Sequence, residues 1–138
     1  MKYNAKNNPR VIIIQKIYSH LFNNEKIILT EPLDYDVFIN ALTDCYFILT
    51  DSGGIQEEAP SFGKPVLILR DSTERKEAID CGTAILVGND SNRIMFFVDK
   101  LLSDSKFYRS MQISKNPFGD GKATEKIIKH TVEYFRKL

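Results

Sequence analysis

The stretch YFILTDSGGIQEE, Tyr46 to Glu58, breaks an apolar run at Thr50 with Asp-Ser-Gly-Gly and then resumes with good helix formers. That order of residue types suits an anion cradle. A helix starting at about Ile55 offers unpaired backbone N–H groups and the positive end of its dipole, and glycines at 53 and 54 let an anion approach the main chain closely. Ser52 adds a hydroxyl. Glu58, four residues past Gly54, falls on the same helical face, where a carboxylate could accept both hydroxyls of a ribose whose diphosphate rests on the turn. No G-K-[ST] follows the glycines and no G-x-G-x-x-G is present, so the mononucleotide and dinucleotide loops of those types are excluded. A plain Gly-Gly turn followed by two solvated glutamates accounts for the same spacing.

A second constellation, RDSTER at 70–75, follows the next apolar run. Asp71 and Glu74 have capping-box spacing, which places Arg75 in the first turn of a helix, where a cation opposes the helix dipole. An anion would justify it there. Arg75 could give a diphosphate a forked contact; an exposed ion pair with Glu74 or Asp71 fits equally well.

These residues need a frame. The short apolar runs KIILT (26–30), YFILT (46–50), PVLIL (65–69) and TAILV (83–87) predict buried strands. After Asn8-Pro9, apolar residues Val11, Ile14, Ile17, Tyr18 and Leu21 predict an amphipathic helix over about 9–22. Further helices are predicted at about 34–43, 55–63, 74–81, 90–103, 104–113 and 121–137. Strand and helix in alternation predict a parallel sheet with right-handed crossovers, in which ligands gather outside the carboxyl ends of the strands. Asp51–Gly54 and Arg70–Arg75 both stand at such ends.

The 138 residues, 43% hydrophobic, suffice for one domain with its own core. Lys and Arg (19) nearly balance Asp and Glu (18), which leaves no global field to draw in nucleic acid or an anionic membrane. No apolar stretch is long enough to span a bilayer, the start MKYNAKNNPR lacks a signal-peptide core, and Cys45 and Cys81 suit buried free thiols. A cytoplasmic location is expected. His20 and His130 lie in helical patterns away from both constellations.

The segment ILTDSGGIQEEAPSFGKPVLILRDSTERKEAIDCGTAILVG, with NPFGDGKAT at 116–124, closely resembles the non-hydrolysing UDP-N-acetylglucosamine 2-epimerases from about Asn8 onward. The resemblance implies a Rossmann-like parallel sheet with flanking helices, the C-terminal half of a GT-B type fold, with residues 1–138 forming a single UDP-binding domain. It implies that Ser52, Gly53 and Gly54 cradle the diphosphate, that Glu58 holds the ribose, that Arg75 meets phosphate and that Phe38 lies against the uracil. Phe38 also fits ordinary helix core, in an apolar stripe with Val37 and Leu42. The NPFGDG loop would launch a last helix that, in the family, crosses to the other domain.

The departures bear on activity. The family's N-terminal domain, the first strand of this domain and its His-Arg-x-Glu-Asn segment are not in the chain, and Lys6 stands where the family's His-x-Asn-Pro element has histidine. The family inverts C2 of a UDP-amino sugar by eliminating and re-adding UDP, using carboxylates of the other domain, and no cofactor or metal is expected. The chain would therefore supply a handle for the leaving group and be inactive alone. A stand-alone UDP or UDP-sugar binding module and the nucleotide-binding half of a GT-B glycosyltransferase are the alternatives. UDP or a UDP-N-acetylhexosamine is the expected ligand. A separate N-terminal half, self-association, or a locally repaired sheet with KIILT beside YFILT would cover what the lost strand exposes.

Overall fold

A computed structural model describes residues 32–112 and 116–137, and the backbone alone at 11–14. The elements run β1 (Val11–Ile14), α1 (Tyr35–Asp44), β2 (Phe47–Thr50), α2 (Gly53–Glu58), a 3-10 turn (Ala59–Phe62), β3 (Val66–Ile68), α3 (Lys76–Asp80), β4 (Ala84–Leu86), α4 (Ser91–Ser103), α5 (Ser105–Met111) and α6 (Ala123–Phe135). The sheet order is β1-β2-β3-β4, with β2, β3 and β4 parallel, Ile48 opposite Val66 and Val66 opposite Ala84.

Because successive side chains of a strand point to opposite faces, one sheet makes two cores. Ile48, Val66, Ile68 and Ala84 face one way, onto Leu42 of α1, Ile55 of α2, Ala59 and Ala78 of α3. Phe47, Leu49, Leu67 and Val87 face the other, onto Leu101 of α4 and Met111 of α5. Both faces are covered, which is why these strands read as continuous apolar runs rather than alternating ones. Asp90 caps α4 by accepting from Arg93 N at 2.9 Å, and Asp104 caps α5 through Lys106 N and Phe107 N, each at 3.0 Å. Gly63, at φ +61°, closes the 3-10 turn in the left-handed conformation and turns the chain toward β3.

Two sequence expectations are corrected. Residues 11–14 form a strand, antiparallel to β2 with Val11 opposite Thr50, where a helix over 9–22 is predicted. Val-Ile-Ile-Ile is β-branched at every position, and the hydrogen-bonding edge of β2 satisfies its backbone. The sheet is consequently not wholly parallel, and the strand beside YFILT is β1; KIILT, like Lys6 and His20, lies outside the described residues. The other helices and strands predicted within the described residues appear within a few residues of their expected spans. Both cysteines are free, Cys45 buried and Cys81 half-buried. No helix among the described residues is long and apolar enough to cross a membrane.

Candidate functional site

The loops at the carboxyl ends of β2 and β3 are tied together by buried polar groups. Thr50, fully buried at the end of β2, accepts a hydrogen bond from Ser52 N through its hydroxyl at 2.9 Å, which bends the chain toward α2. Gln56 is also fully buried: its Nε2 donates to Ser52 O at 3.2 Å, and its Oε1 accepts from the Thr73 hydroxyl at 2.7 Å. Thr73 Oγ1 in turn accepts from Arg75 N at 3.2 Å. One glutamine therefore joins the Ser52 turn to the loop that carries Arg75. Leaving either partner unpaired in this dry setting would cost about 1–3 kcal/mol, which keeps the bridge closed.

That bridge brings Arg75 to the glycines. A Cβ built on Gly53 would stand 2.8 Å from Arg75 Cζ, so the guanidinium rests directly on the bare α-carbon, while the same test at Gly54 meets nothing within 4 Å. Arg75 Nε donates to Glu57 Oε1 at 2.8 Å, Arg75 Nη1 bonds Glu74 Oε1, and Arg70 Nη1 lies 3.8 Å from Glu74 Oε2. Ser52 occupies the cap position of α2 without using its side chain for a capping bond. Glu58 is half-buried, one helical turn behind Gly54.

The expected site residues thus fall into two groups. Ser52, Gly53, Gly54 and Arg75 meet at one edge of the sheet, with Glu58 on the helix that begins there. Phe38 packs against the core beside Ile39 and Phe62 and is half-buried. The helix begins at Gly53 rather than about Ile55, so both glycines belong to its first turn. The capping box is not formed: Arg75 itself takes the cap position of α3, which starts at Lys76, four positions too late for Asp71 to cap it, and Glu74 pairs with the arginines instead. His130 is exposed on α6, 3.8 Å from Glu133.

Three contributors are absent from the sequence reading. Gln56 and Thr73 give no signal as neighbours, since seventeen positions separate them. Asn116 of the NPFGDG loop donates to Glu57 O at 3.1 Å and to Ser61 Oγ at 2.6 Å, and Phe118 packs against the α1–α3 core, so the loop is moored to the far end of α2. Asp120 then accepts from Lys122 N at 3.0 Å and pairs with Lys126 Nζ at 2.9 Å; the Lys126 ammonium, and next the Lys122 N–H, hold its carboxyl below the usual range. A concavity of about 480 Å³ along β4, lined by Ile85, Leu86, Phe107 and Met111 among others, includes none of the turn residues, and Arg93 in its lining already donates to Leu86 O.

Three parallel strands, β2 to β4, covered by helices on both faces, with a Gly-Gly turn and an arginine meeting at their carboxyl ends, define a Rossmann-like α/β domain. The chain belongs to the UDP-N-acetylglucosamine 2-epimerase family, whose model matches residues 2–131. It is 53% identical to the UDP-N-acetylglucosamine 2-epimerase of Yersinia pestis over 105 residues, 76% of this chain and 28% of that protein. Among solved structures it is similar to the UDP complex of S. aureus MnaA, with 43% identity and a TM-score of 0.74 over 88% of this chain and 33% of that one. The Neisseria meningitidis UDP-GlcNAc 2-epimerase bound to UDP-GlcNAc gives 44% identity and a TM-score of 0.70 over 76% of this chain and 29% of that one. The chain thus spans about a third of the length of the relatives it matches.

Proposed function

We propose that this chain is the UDP-holding half of a UDP-N-acetylglucosamine 2-epimerase, binding UDP or a UDP-N-acetylhexosamine and doing no chemistry alone. The observation that carries this reading is the guanidinium of Arg75 seated on Gly53 at the start of α2, beside Ser52, whose side chain makes no capping bond. These are donors for a diphosphate. In an elimination that expels UDP, negative charge grows on the β-phosphate, and fixed donors at that point lower the barrier; removing one such donor typically costs about 3–4 kcal/mol. Glu58 would accept the ribose hydroxyls and Phe38 would present its exposed edge to the uracil.

Relatives whose structures were solved with UDP or UDP-GlcNAc support the ligand class. On this reading the groups that exchange the C2 proton would lie in the part of the relatives' length that this chain does not match. A partner surface is in keeping with this: α6 has no buried residue among those described, and Ile127, Ile128, Val132 and Phe135 are exposed along it. Isothermal titration with UDP and ADP tests the reading. UDP is expected to bind more tightly, because the phosphate turn alone cannot select a base; equal affinities would leave only a generic anion site.

A further inference from the structure

We propose that Glu74 is a displaceable counter-charge on Arg75, occupying the place a diphosphate takes, whereas Glu57 is the fixed partner that positions the guanidinium. This rests on the reading of the turn as a diphosphate site. A guanidinium presents its N–H donors in a rigid fork, and a phosphate engages it best through two neighbouring donors. The two such pairs facing outward are Nε with Nη2 and Nη1 with Nη2. Glu57 holds Nε at 2.8 Å and Glu74 holds Nη1, while Nη2 makes no hydrogen bond among the described residues. Each two-donor edge therefore has a carboxylate against one of its nitrogens, and a diphosphate that takes both donors of an edge competes with that carboxylate.

The surroundings decide which one leaves. The Glu74 side chain is 63% exposed against 44% for Glu57, so its pairing is the more strongly weakened by water. It also has a second cation waiting, Arg70 Nη1 at 3.8 Å from its other oxygen. Glu57 is anchored: its carbonyl accepts from Asn116 and its neighbour Gln56 is bonded across to Thr73. Exchange thus needs one side-chain rotation and no movement of either loop. The ligand-free site is kept electrically quiet, and a bound diphosphate takes over the Nη1–Nη2 edge while Glu57 keeps Nε.

The experiment is titration of the 138-residue chain with UDP and with uridine, in wild type, Glu74→Gln, Glu57→Gln and Glu77→Gln, each first checked by thermal melting. Glu74→Gln is expected to bind UDP about two- to fivefold more tightly, the size of an exposed ion pair. Glu57→Gln should bind it about tenfold more weakly, as for loss of a charge-assisted bond that orients the cation. Glu77→Gln, the same charge change on an exposed α3 position, should match wild type, and uridine binding should be the same in all four. A nitrogen–proton signal for Arg75 Nε should stay protected when UDP is added to wild type and be lost in Glu57→Gln. Unchanged or weaker UDP binding by Glu74→Gln, or equal tightening by Glu77→Gln, would overturn the displacement. Unchanged binding by Glu57→Gln would overturn its positioning role. If wild type itself binds UDP no better than uridine, the diphosphate reading fails first and the exchange falls with it.

Discussion

Gly53 and Gly54 are adjacent in sequence but differ in what surrounds them, and substituting each by alanine separates the two demands made on the turn. At Gly53 the new methyl would lie 2.8 Å from Arg75 Cζ and 3.1 Å from Nε. An ordinary carbon contact is about 3.5 Å or more, so the guanidinium must withdraw by roughly 0.7 Å. A displacement of that size disturbs the contact of 2.8 Å between Nε and Glu57, and would stretch it to about 3.5 Å if directed along the bond, the weak end of hydrogen-bond range. The fold tolerates this, because a half-exposed ion pair contributes about 0.2–1 kcal/mol and alanine returns about as much through helix propensity. Diphosphate binding does not: a charge-assisted contact of about 1.5–3 kcal/mol is displaced, a loss of about ten- to a hundredfold in affinity. Gly54→Ala meets no protein atom within 4 Å, so it should leave the melting temperature unchanged or raise it, yet still weaken UDP by occupying the space above the main chain. Calorimetric titration with paired thermal melts reads both quantities. Wild-type affinity in Gly53→Ala would show that Arg75 takes no part in holding the ligand, and wild-type affinity in Gly54→Ala would remove the phosphate from the first turn of α2.

Ser52→Ala should weaken UDP by about 1 kcal/mol, and Glu58→Gln by that or more, one neutral and one charge-assisted bond; titrations in which neither changes would sink the assignment of the turn. In heavy water the chain alone should give no detectable deuterium uptake at C2 of UDP-GlcNAc by NMR, since each missing proton transfer removes about 10²- to 10⁴-fold; uptake that vanishes in Ser52→Ala would mean that Asp51, Glu57 or Glu58 serves as the base. Burial pushes the Cys45 thiol up to about 11. Its folded-state value lies above its unfolded one, so its stabilisation is intact below about pH 8.5 and is lost as pH rises toward the folded value, by about 2–3 kcal/mol in all. Burial first, then neighbouring Tyr46, raises Tyr108 to about 12, which extends the loss to higher pH. Urea melts at pH 8 and pH 10.5 should show the drop in wild type and a smaller one in Cys45→Ala; equal drops would contradict it.

The frame was legible where one local property decided the outcome. β2, β3 and β4 are buried on both faces, and their continuous apolar runs say so whatever else the chain does. The segment at 11–14 was not, because four consecutive β-branched apolar residues satisfy a helical spacing as readily as a strand, and the free edge of β2, a long-range partner, settles which forms. The site divides along the same line. Its location follows from a Gly-Gly break after a strand and an arginine after the next, both at the carboxyl edge of a parallel sheet. Its internal wiring does not: Arg75 meets Glu57 across eighteen positions, and Gln56 meets Thr73 across seventeen. Both separations are one strand-to-strand step of a parallel crossover, so which polar side chains meet depends on the 48-to-66 register. Glu57, which the spacing marks only as a solvated neighbour of Glu58, becomes the residue that aims the cation. The same register puts Gly53 under Arg75, so that one of two glycines apparently alike in sequence makes room for the protein's own guanidinium and only the other leaves its space open to a ligand.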